Sequence, residues 1–283
     1  QNITAESIEK VISENTKAVV CVHLSGWPCD MDPILNLSEK YGFYVIEDCA
    51  QAHGAYYKGK PVGSFGHAAA WSFCQDKIMT TGGEGGMLTT NDREVWSKVW
   101  SYKDHGKTWD AVHSRKHKPG YRWLHERIGT NYRITEIQAA IGRLQLERLE
   151  EWVKKRRKNA EFLTESFRSL NSLRVIEPED EIFHSYYKYY VFVKPEYLKP
   201  QWDRDRIMKA VNESGVPCMT GTCPEIYLEK VFENSKSRPL HRLPNAKELS
   251  ETSLMFQVHP TMGEKEMERT VSVLKEIITK SGK

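Results

Sequence analysis

The sequence predicts an α/β fold followed by a smaller α+β domain, and three observations carry that expectation. First, the apolar runs "KAVVCVHL" (17–24) and "FYVIED" (43–48) flank a helix-like segment, "CDMDPILNLSEKYG". Strand, helix, strand within about 30 residues implies a parallel sheet. Second, "HAAAWSF" (67–73) and "GMLTT" (86–90) add two more strands in the same style. Third, beyond about residue 170 short strands alternate with helices, which reads as a separate α+β unit. The boundary is set inside a long helical pattern, giving domains 1–150 and 151–283.

Each element has its own signal. "KAVVCVHL" is rich in β-branched residues and reads as a buried strand. In the helix that follows, Asp32 is the capping candidate, Pro33 suits the first turn and Gly42 is the stop. "REVWSKVWSY" is helical, and a long polar segment, "KDHGKTWDAVHSRKHKPGYRWLHERIG", comes next. From Thr135, the residues Ile137, Ile141, Leu144, Leu149 and Val153 recur at helical spacing, and a helix of this length often joins two domains. "SYYKYYVFV" (185–193) and "SLMFQVH" read as strands, and "DRDRIMKAVNESG" and "EKEMERTVSVLKEIITK" as helices.

The totals exclude several classes of function. At 283 residues, with 39% hydrophobic and 28% charged residues, the chain is an ordinary globular one with ample material for a core. A net charge of +3 gives no footprint for nucleic acid. No run approaches the roughly 18 apolar residues of a membrane span, and no signal-peptide pattern occurs, so a cytoplasmic protein is expected. The six cysteines (21, 29, 49, 74, 218 and 223) form no CxxC, which fits small buried side chains in a reducing compartment. The chain opens on Gln1 with "TAESIEKVIS", a helix-like start that reads as the middle of a domain, so a preceding segment is expected in the natural protein.

The chemistry centres on "AWSFCQDKIMTTGGEGGMLTTND", where Lys77 sits between an apolar run and Gly82, Gly83, Gly85 and Gly86. A glycine-dense loop suits close approach of backbone to something else. Asp48 ends the strand "YVIED", at the sheet edge where open α/β sheets bind ligands, and Gln51 and His53 follow in one polar loop. Lys77 follows the next strand of the sheet and so lies on the same side. A shielded lysine loses its proton more readily and becomes a nucleophile. Pyridoxal phosphate needs this combination: a lysine for its aldehyde and a carboxylate at its ring nitrogen.

The stretches "VIEDCAQAHGA", "VGSFGHAAAWSF", Lys77, "GGEGGMLTTND" and "GTNYRITEIQAAIGRLQLERLEEW" resemble the DegT/DnrJ/EryC1/StrS family of sugar aminotransferases. "MDPILNLSEKYG", "HSYYKYYVFV" and "LPNAKELSETSLMFQVHP" extend the resemblance over nearly the whole chain. It implies a three-layer, mainly parallel large domain of the fold-type I pyridoxal-phosphate transferases, with a smaller C-terminal domain. It also implies Lys77 as the Schiff-base lysine, Asp48 on the pyridine nitrogen, Gln51 near the ring hydroxyl and Ser72 on the phosphate. Asn131 is implied to reach the phosphate of a neighbouring subunit, giving a homodimer with shared sites. His105, Arg133, His184 and Tyr227 are the substrate-facing candidates, and no metal is expected. One departure is that the family's Gly-Thr/Ser-Ala phosphate turn and its ring-stacking aromatic come before Gln1.

The expected activity is transfer of an amino group from an amino-acid donor, glutamate, to a keto sugar carried on a nucleotide. Two alternatives are a pyridoxal-phosphate sugar dehydratase or isomerase and a non-catalytic regulatory protein on the same scaffold. Relatives that dehydrate carry histidine at the lysine position, and Lys77 favours transamination. The basic segment 103–125 reads either as a solvated loop or as a lid whose lysines and arginines pair with a sugar nucleotide's diphosphate.

Overall fold

The computed structural model describes all 283 residues, which fold as two compact units. One comprises Asn2–Glu150 with Asp180–Ser185, and the other Glu151–Glu179 with Tyr186–Lys283 and Gln1.

The first unit begins with a short helix α1 (Ala5–Glu9), whose Thr4 and Ser7 cap each other, and strand β1 (Ala18–Val22). Helix α2 (Met31–Tyr41) and strand β2 (Tyr44–Asp48) complete the expected unit. The N-cap of α2 is Asp30, not Asp32. Asp30 accepts a 2.5 Å hydrogen bond from the Tyr57 hydroxyl, and Asp32 pairs with Lys58 at 2.8 Å. Gly42 stops the helix as expected, at φ 71, a conformation that penalises any side chain.

A two-residue hairpin, β3 (Tyr56–Tyr57) and β4 (Lys60–Pro61), precedes β5 (Ala68–Ser72) and β6 (Gly86–Thr89). The main sheet runs β1-β2-β5-β6; the first three strands are parallel and β6 is antiparallel. One face is packed by α1 and α2, through Ile8, Met31, Ile34 and Leu37 against Cys21 and Val45. The other face stays open, with Val20 52% and Tyr44 60% exposed. The expectation of a fully buried β1 therefore holds for one face only.

Helix α3 (Arg93–Lys103) is capped by Asp92, which accepts from the backbone of Glu94 and Val95. Helix α4 (Trp109–His113) and the 32-residue α5 (Glu136–Phe167) follow. The division between the units falls inside α5. Val153 is buried, but Ile137 and Leu144, expected on the packed face, are exposed.

Strand β7 (Leu173–Val175) belongs to the second unit, whereas β8 (Ile182–Phe183) pairs with β3 of the first. Residues 180–185 thus leave the domain to which the sequence boundary assigns them. The second unit continues with β9 (Tyr189–Val193), α6 (Arg204–Glu213), β10 (Cys218–Met219), α7 (Pro244–Thr252), β11 (Ser253–Phe256) and α8 (Glu264–Ser281). Its antiparallel sheet runs β10-β11-β9-β7. Ile207 and Val211 of α6, and Met267, Val271, Leu274 and Ile278 of α8, present apolar spacings of three and four residues to that core. The strand expected from Ser185 starts only at Tyr189, because Tyr186 adopts φ 49, which strand pairing does not admit.

No helix is long and apolar enough to cross a membrane. All six cysteines are free, and four of them are buried; burial pushes the Cys21 thiol up to about 12.

Candidate active site

Parallel pairing brings the ends of three strands to one edge of the sheet. Val22, Asp48 and Ala70 lie side by side across β1, β2 and β5. The pairing continues past the strands, with His23 N–H donating to Asp48 O (3.1 Å) and Cys49 N–H to Ala70 O (2.9 Å). Asp48, Gln51, Ser72 and Lys77 all belong to this edge or to the loops that leave it.

Asp48 is half-buried, and its Oδ1 accepts from Ala50 N–H at 3.0 Å. Its Oδ2 takes no hydrogen bond. Gln51 accepts from Ser25 N–H at 2.8 Å through Oε1, which leaves its amide N–H groups available. The Ser72 hydroxyl accepts a 3.3 Å bond from Cys74 N–H and keeps its own proton free to donate. Lys77 sits on a turn closed by its own N–H to Cys74 O (3.0 Å); its side chain is 16% exposed, and Asp76 lies 3.8 Å from Nζ.

The four glycines after Lys77 come close to the chain's own elements. A Cβ on Gly82 would meet Ile141 at 3.3 Å, and one on Gly85 would meet Thr81 Oγ1 at 2.6 Å. On Gly86 it would strike the Trp71 carbonyl at 2.9 Å. Helix α5 also grips this loop, with Gln145 accepting from Thr80 N–H (3.0 Å) and Gln138 donating to Glu84 O (2.5 Å). Gly82 therefore lets the lysine-bearing loop seat against α5, and Gly85 and Gly86 let it close on Thr81 and on β5.

The sequence reading missed the residue beside Asp48. Glu47 is fully buried and accepts four hydrogen bonds: from Gly63 N–H (2.7 Å) and His23 Nε2 (3.0 Å) on one oxygen, and from Phe65 (2.8 Å) and Gly66 (2.7 Å) N–H on the other. His23 Nδ1 accepts from Cys29 N–H at 2.9 Å, which fixes the tautomer with the proton on Nε2. Burial favours the neutral carboxyl, but His23 and the backbone N–H groups outweigh it and hold Glu47 below the usual carboxylate range. His23, Glu47 and Cys49 lie within 4.8 Å of one another, a grouping that could suit a metal. Both ring nitrogens and both carboxylate oxygens are already engaged, so this is a hydrogen-bond network. The signal in the sequence was the two-residue strand period, which places Glu47 on the same buried face as Val45.

The remaining candidates make contacts of their own. His53 is buried against Trp71 and Phe73, with ring centroids 5.4 and 5.9 Å away. His184 is buried with its ring 5.3 Å from that of Trp27. His105 is exposed at φ 59, and Arg133 makes an ion pair with Asp104. Asn131 is exposed and bridges to Asp104 through the backbone. Tyr227 lies in the second unit, where its hydroxyl donates to Glu225 (2.7 Å) and accepts from Leu243 N–H (2.9 Å).

Comparison with known proteins settles the lineage. The model of the DegT/DnrJ/EryC1/StrS aminotransferase family matches residues 1–275. The chain belongs to this family. The solved structure of an aminotransferase from Psychrobacter cryohalolentis superposes with a TM-score of 0.97 at 54% identity, covering 99% of this chain and 73% of that one. GDP-perosamine synthase from Escherichia coli O157:H7 is 40% identical over 185 residues, which is 65% of this chain and 47% of that protein. An uncharacterised protein from Methanocaldococcus jannaschii is 32% identical over 282 residues, covering 99% of this chain and 72% of that protein. The fold is that of the type I pyridoxal-phosphate aminotransferases, and pyridoxal 5′-phosphate is the family's cofactor.

The residues at the sheet edge fit that cofactor. An open acceptor on Asp48, open donors on Gln51 and Ser72 and a shielded amine on Lys77 are the complement of a pyridinium, a ring hydroxyl, a phosphate and an aldehyde.

Proposed function

We propose that this chain is a transaminase that moves an amino group from glutamate to a nucleotide-linked keto sugar, working as a homodimer. The observation that carries the reading is the set of four side chains at one sheet edge: open hydrogen-bonding positions on Asp48, Gln51 and Ser72 and the shielded amine of Lys77 match one cofactor. When bound, pyridoxal phosphate supplies an electron sink for the bond broken at the donor carbon. Lys77 Nζ would hold the cofactor and, once displaced by the donor amine, carry a proton from that carbon as general base and return it as general acid. Asp48 Oδ2 would keep a proton on the ring nitrogen. Gln51 Nε2 would orient the ring through its hydroxyl, and Ser72 Oγ would donate to the phosphate. Asn131, exposed on this chain, would reach the phosphate bound by a second subunit.

The nucleotide-linked substrate class is supported by kinship to GDP-perosamine synthase. The reaction is tested by incubating protein, cofactor, glutamate and a nucleotide-linked keto sugar and measuring 2-oxoglutarate. One equivalent per amino sugar is expected, with none from Lys77→Ala. Sugar turnover without consumption of glutamate would identify a dehydratase or isomerase instead.

A further inference from the structure

Lys77 lies on backbone that belongs to no helix or sheet, so its Nζ is placed by whatever holds the loop around it. One residue closes the neck of that loop. Phe73 N–H donates to Gly85 O (2.7 Å), and Phe73 O accepts from Thr81 N–H and from the Thr80 hydroxyl, both at 3.1 Å. Ile78 and Met79, directly after the lysine, are buried.

The rest of the loop leans on one face of α5. Between Glu136 and Glu147 the residues of that helix that are not exposed are Gln138, Ala139, Ile141, Gly142 and Gln145, a single stripe at helical spacing. Four of these meet the loop. Ile141 stands 3.3 Å from where a Cβ on Gly82 would be, and a Cβ on Gly142 would lie 3.0 Å from Thr81 Cγ2, so glycine on each side lets the two approach. The two glutamines are used in opposite senses. Gln145 works through its oxygen, which accepts from Thr80 N–H. Gln138 works through its nitrogen, which donates to Glu84 O. Its oxygen is taken by the Thr135 hydroxyl (2.9 Å) and N–H (3.3 Å), a cap at the start of the helix.

We propose that Gln138 and Gln145 are positioning residues for Lys77, fixing the loop at Glu84 and Thr80 so that Nζ meets the cofactor's aldehyde. This role rests on the one proposed for Lys77 and deepens it. Neither glutamine is among the groups matched to the ring or the phosphate, so both act through the loop. In the capture, Lys77 Nζ as a neutral amine forms a C=N double bond with the aldehyde carbon, and the carbonyl oxygen leaves as water with the two amine hydrogens. That step needs the amine in a near-attack position, whereas docking on Asp48, Gln51 and Ser72 does not.

Titration of the full chain with pyridoxal phosphate and with pyridoxamine phosphate, read by absorbance and tryptophan fluorescence, tests it. Only the first carries an aldehyde, so only its affinity and visible absorbance report on Lys77. Gln145→Leu keeps helix propensity but cannot accept from Thr80; it weakens pyridoxal phosphate roughly tenfold and leaves pyridoxamine phosphate within about twofold of wild type. Gln145→Glu still accepts and keeps both within about twofold. Gln138→Glu retains the cap but sets an acceptor against the Glu84 carbonyl, and it weakens pyridoxal phosphate as Gln145→Leu does. In a Lys77→Ala background the same substitutions change nothing, because the residue they act on is gone. Melting temperatures verify each fold, and Gln138→Glu carries the test should Gln145→Leu unfold. Equal weakening of both cofactor forms, no weakening of pyridoxal phosphate, or the same loss from Gln145→Glu as from Gln145→Leu would each overturn the positioning role alone. Visible absorbance that persists in Lys77→Ala would instead remove Lys77 from its role, and the positioning with it.

Discussion

Replacing Glu47 with glutamine changes one oxygen to an amide nitrogen, and the structure sets the cost. The carboxylate accepts from four donors, two on each oxygen, with Glu47 and His23 both fully buried. Glutamine keeps a single acceptor oxygen. Whichever way its amide turns, two hydrogen bonds are lost and an NH2 group faces two N–H donors. His23 cannot adapt by moving its proton, because Nδ1 is committed to Cys29 N–H. Hydrogen bonds to a charged group contribute about 1.5–3 kcal/mol each. Two of them, offset by the lower cost of burying a neutral amide, give a loss of about 3–5 kcal/mol. That is a large part of the 5–15 kcal/mol typical of a domain and lowers its melting temperature by roughly 10 °C. Urea unfolding of wild type and Glu47→Gln, followed by tryptophan fluorescence, measures it. A variant within about 1 kcal/mol of wild type would refute the four-donor account, since a buried amide cannot satisfy those donors.

Two further outcomes follow from particular contacts. Gly106→Ala forces a methyl group into the Arg127 carbonyl at a residue with φ 80; a loss of about 3 kcal/mol or more is expected, with new protease cleavage between residues 107 and 128. In the second unit, Glu225 accepts from Arg242, Ser250 and Tyr227, and above all the Arg242 guanidinium holds its carboxyl down at about 2, against an ordinary 4.5. A carboxylate depressed in the folded state stabilises fully above the unfolded value and loses that contribution as pH falls through the folded one. The stability gap between wild type and Glu225→Gln should therefore be constant from pH 7 to about 5 and shrink between about 4.5 and 2. A gap that did not change over that range in pH-dependent urea unfolding would sink the assignment.

Local patterns in the sequence were enough for the four strands of the first unit's main sheet, because runs such as "FYVIED" are short, largely apolar and bounded by glycine or turn residues. They also placed the sheet edge to which Asp48, Ser72 and the loop of Lys77 belong, since strand ends in a parallel sheet define it. What stayed illegible depends on pairing over long distances. β8 joins β3 across 127 positions (Tyr56 with Phe183), and neither two-residue strand has a period of its own. The engagement of the Tyr227 hydroxyl by Leu243 N–H likewise depends on a segment 16 residues away that its local sequence does not record. The open face of the sheet was hidden for a different reason. Val20 and Val22 have the same apolar character as Cys21, and composition does not record what covers them.

Glu47 and Asp48 put the relation between sequence and site most sharply, because the two adjacent acids are chemically almost the same. Successive side chains of a strand point to opposite faces, so the pleat alone separates them. Glu47 points into the face packed by α1 and α2, where four donors fill its oxygens and tie the 63–66 loop to the strand. Asp48 points the other way, at the end of the strand, with one oxygen held by Ala50 and the other open. Fully bonded on one face, the pair fixes the backbone from which the second acid projects. A shift of register by one residue would exchange the two, burying the open acid and exposing the bonded one. The role proposed for Asp48 therefore rests on the same His23–Glu47 contact that stabilises the fold, and substitutions at Glu47 should disturb cofactor affinity as well as stability.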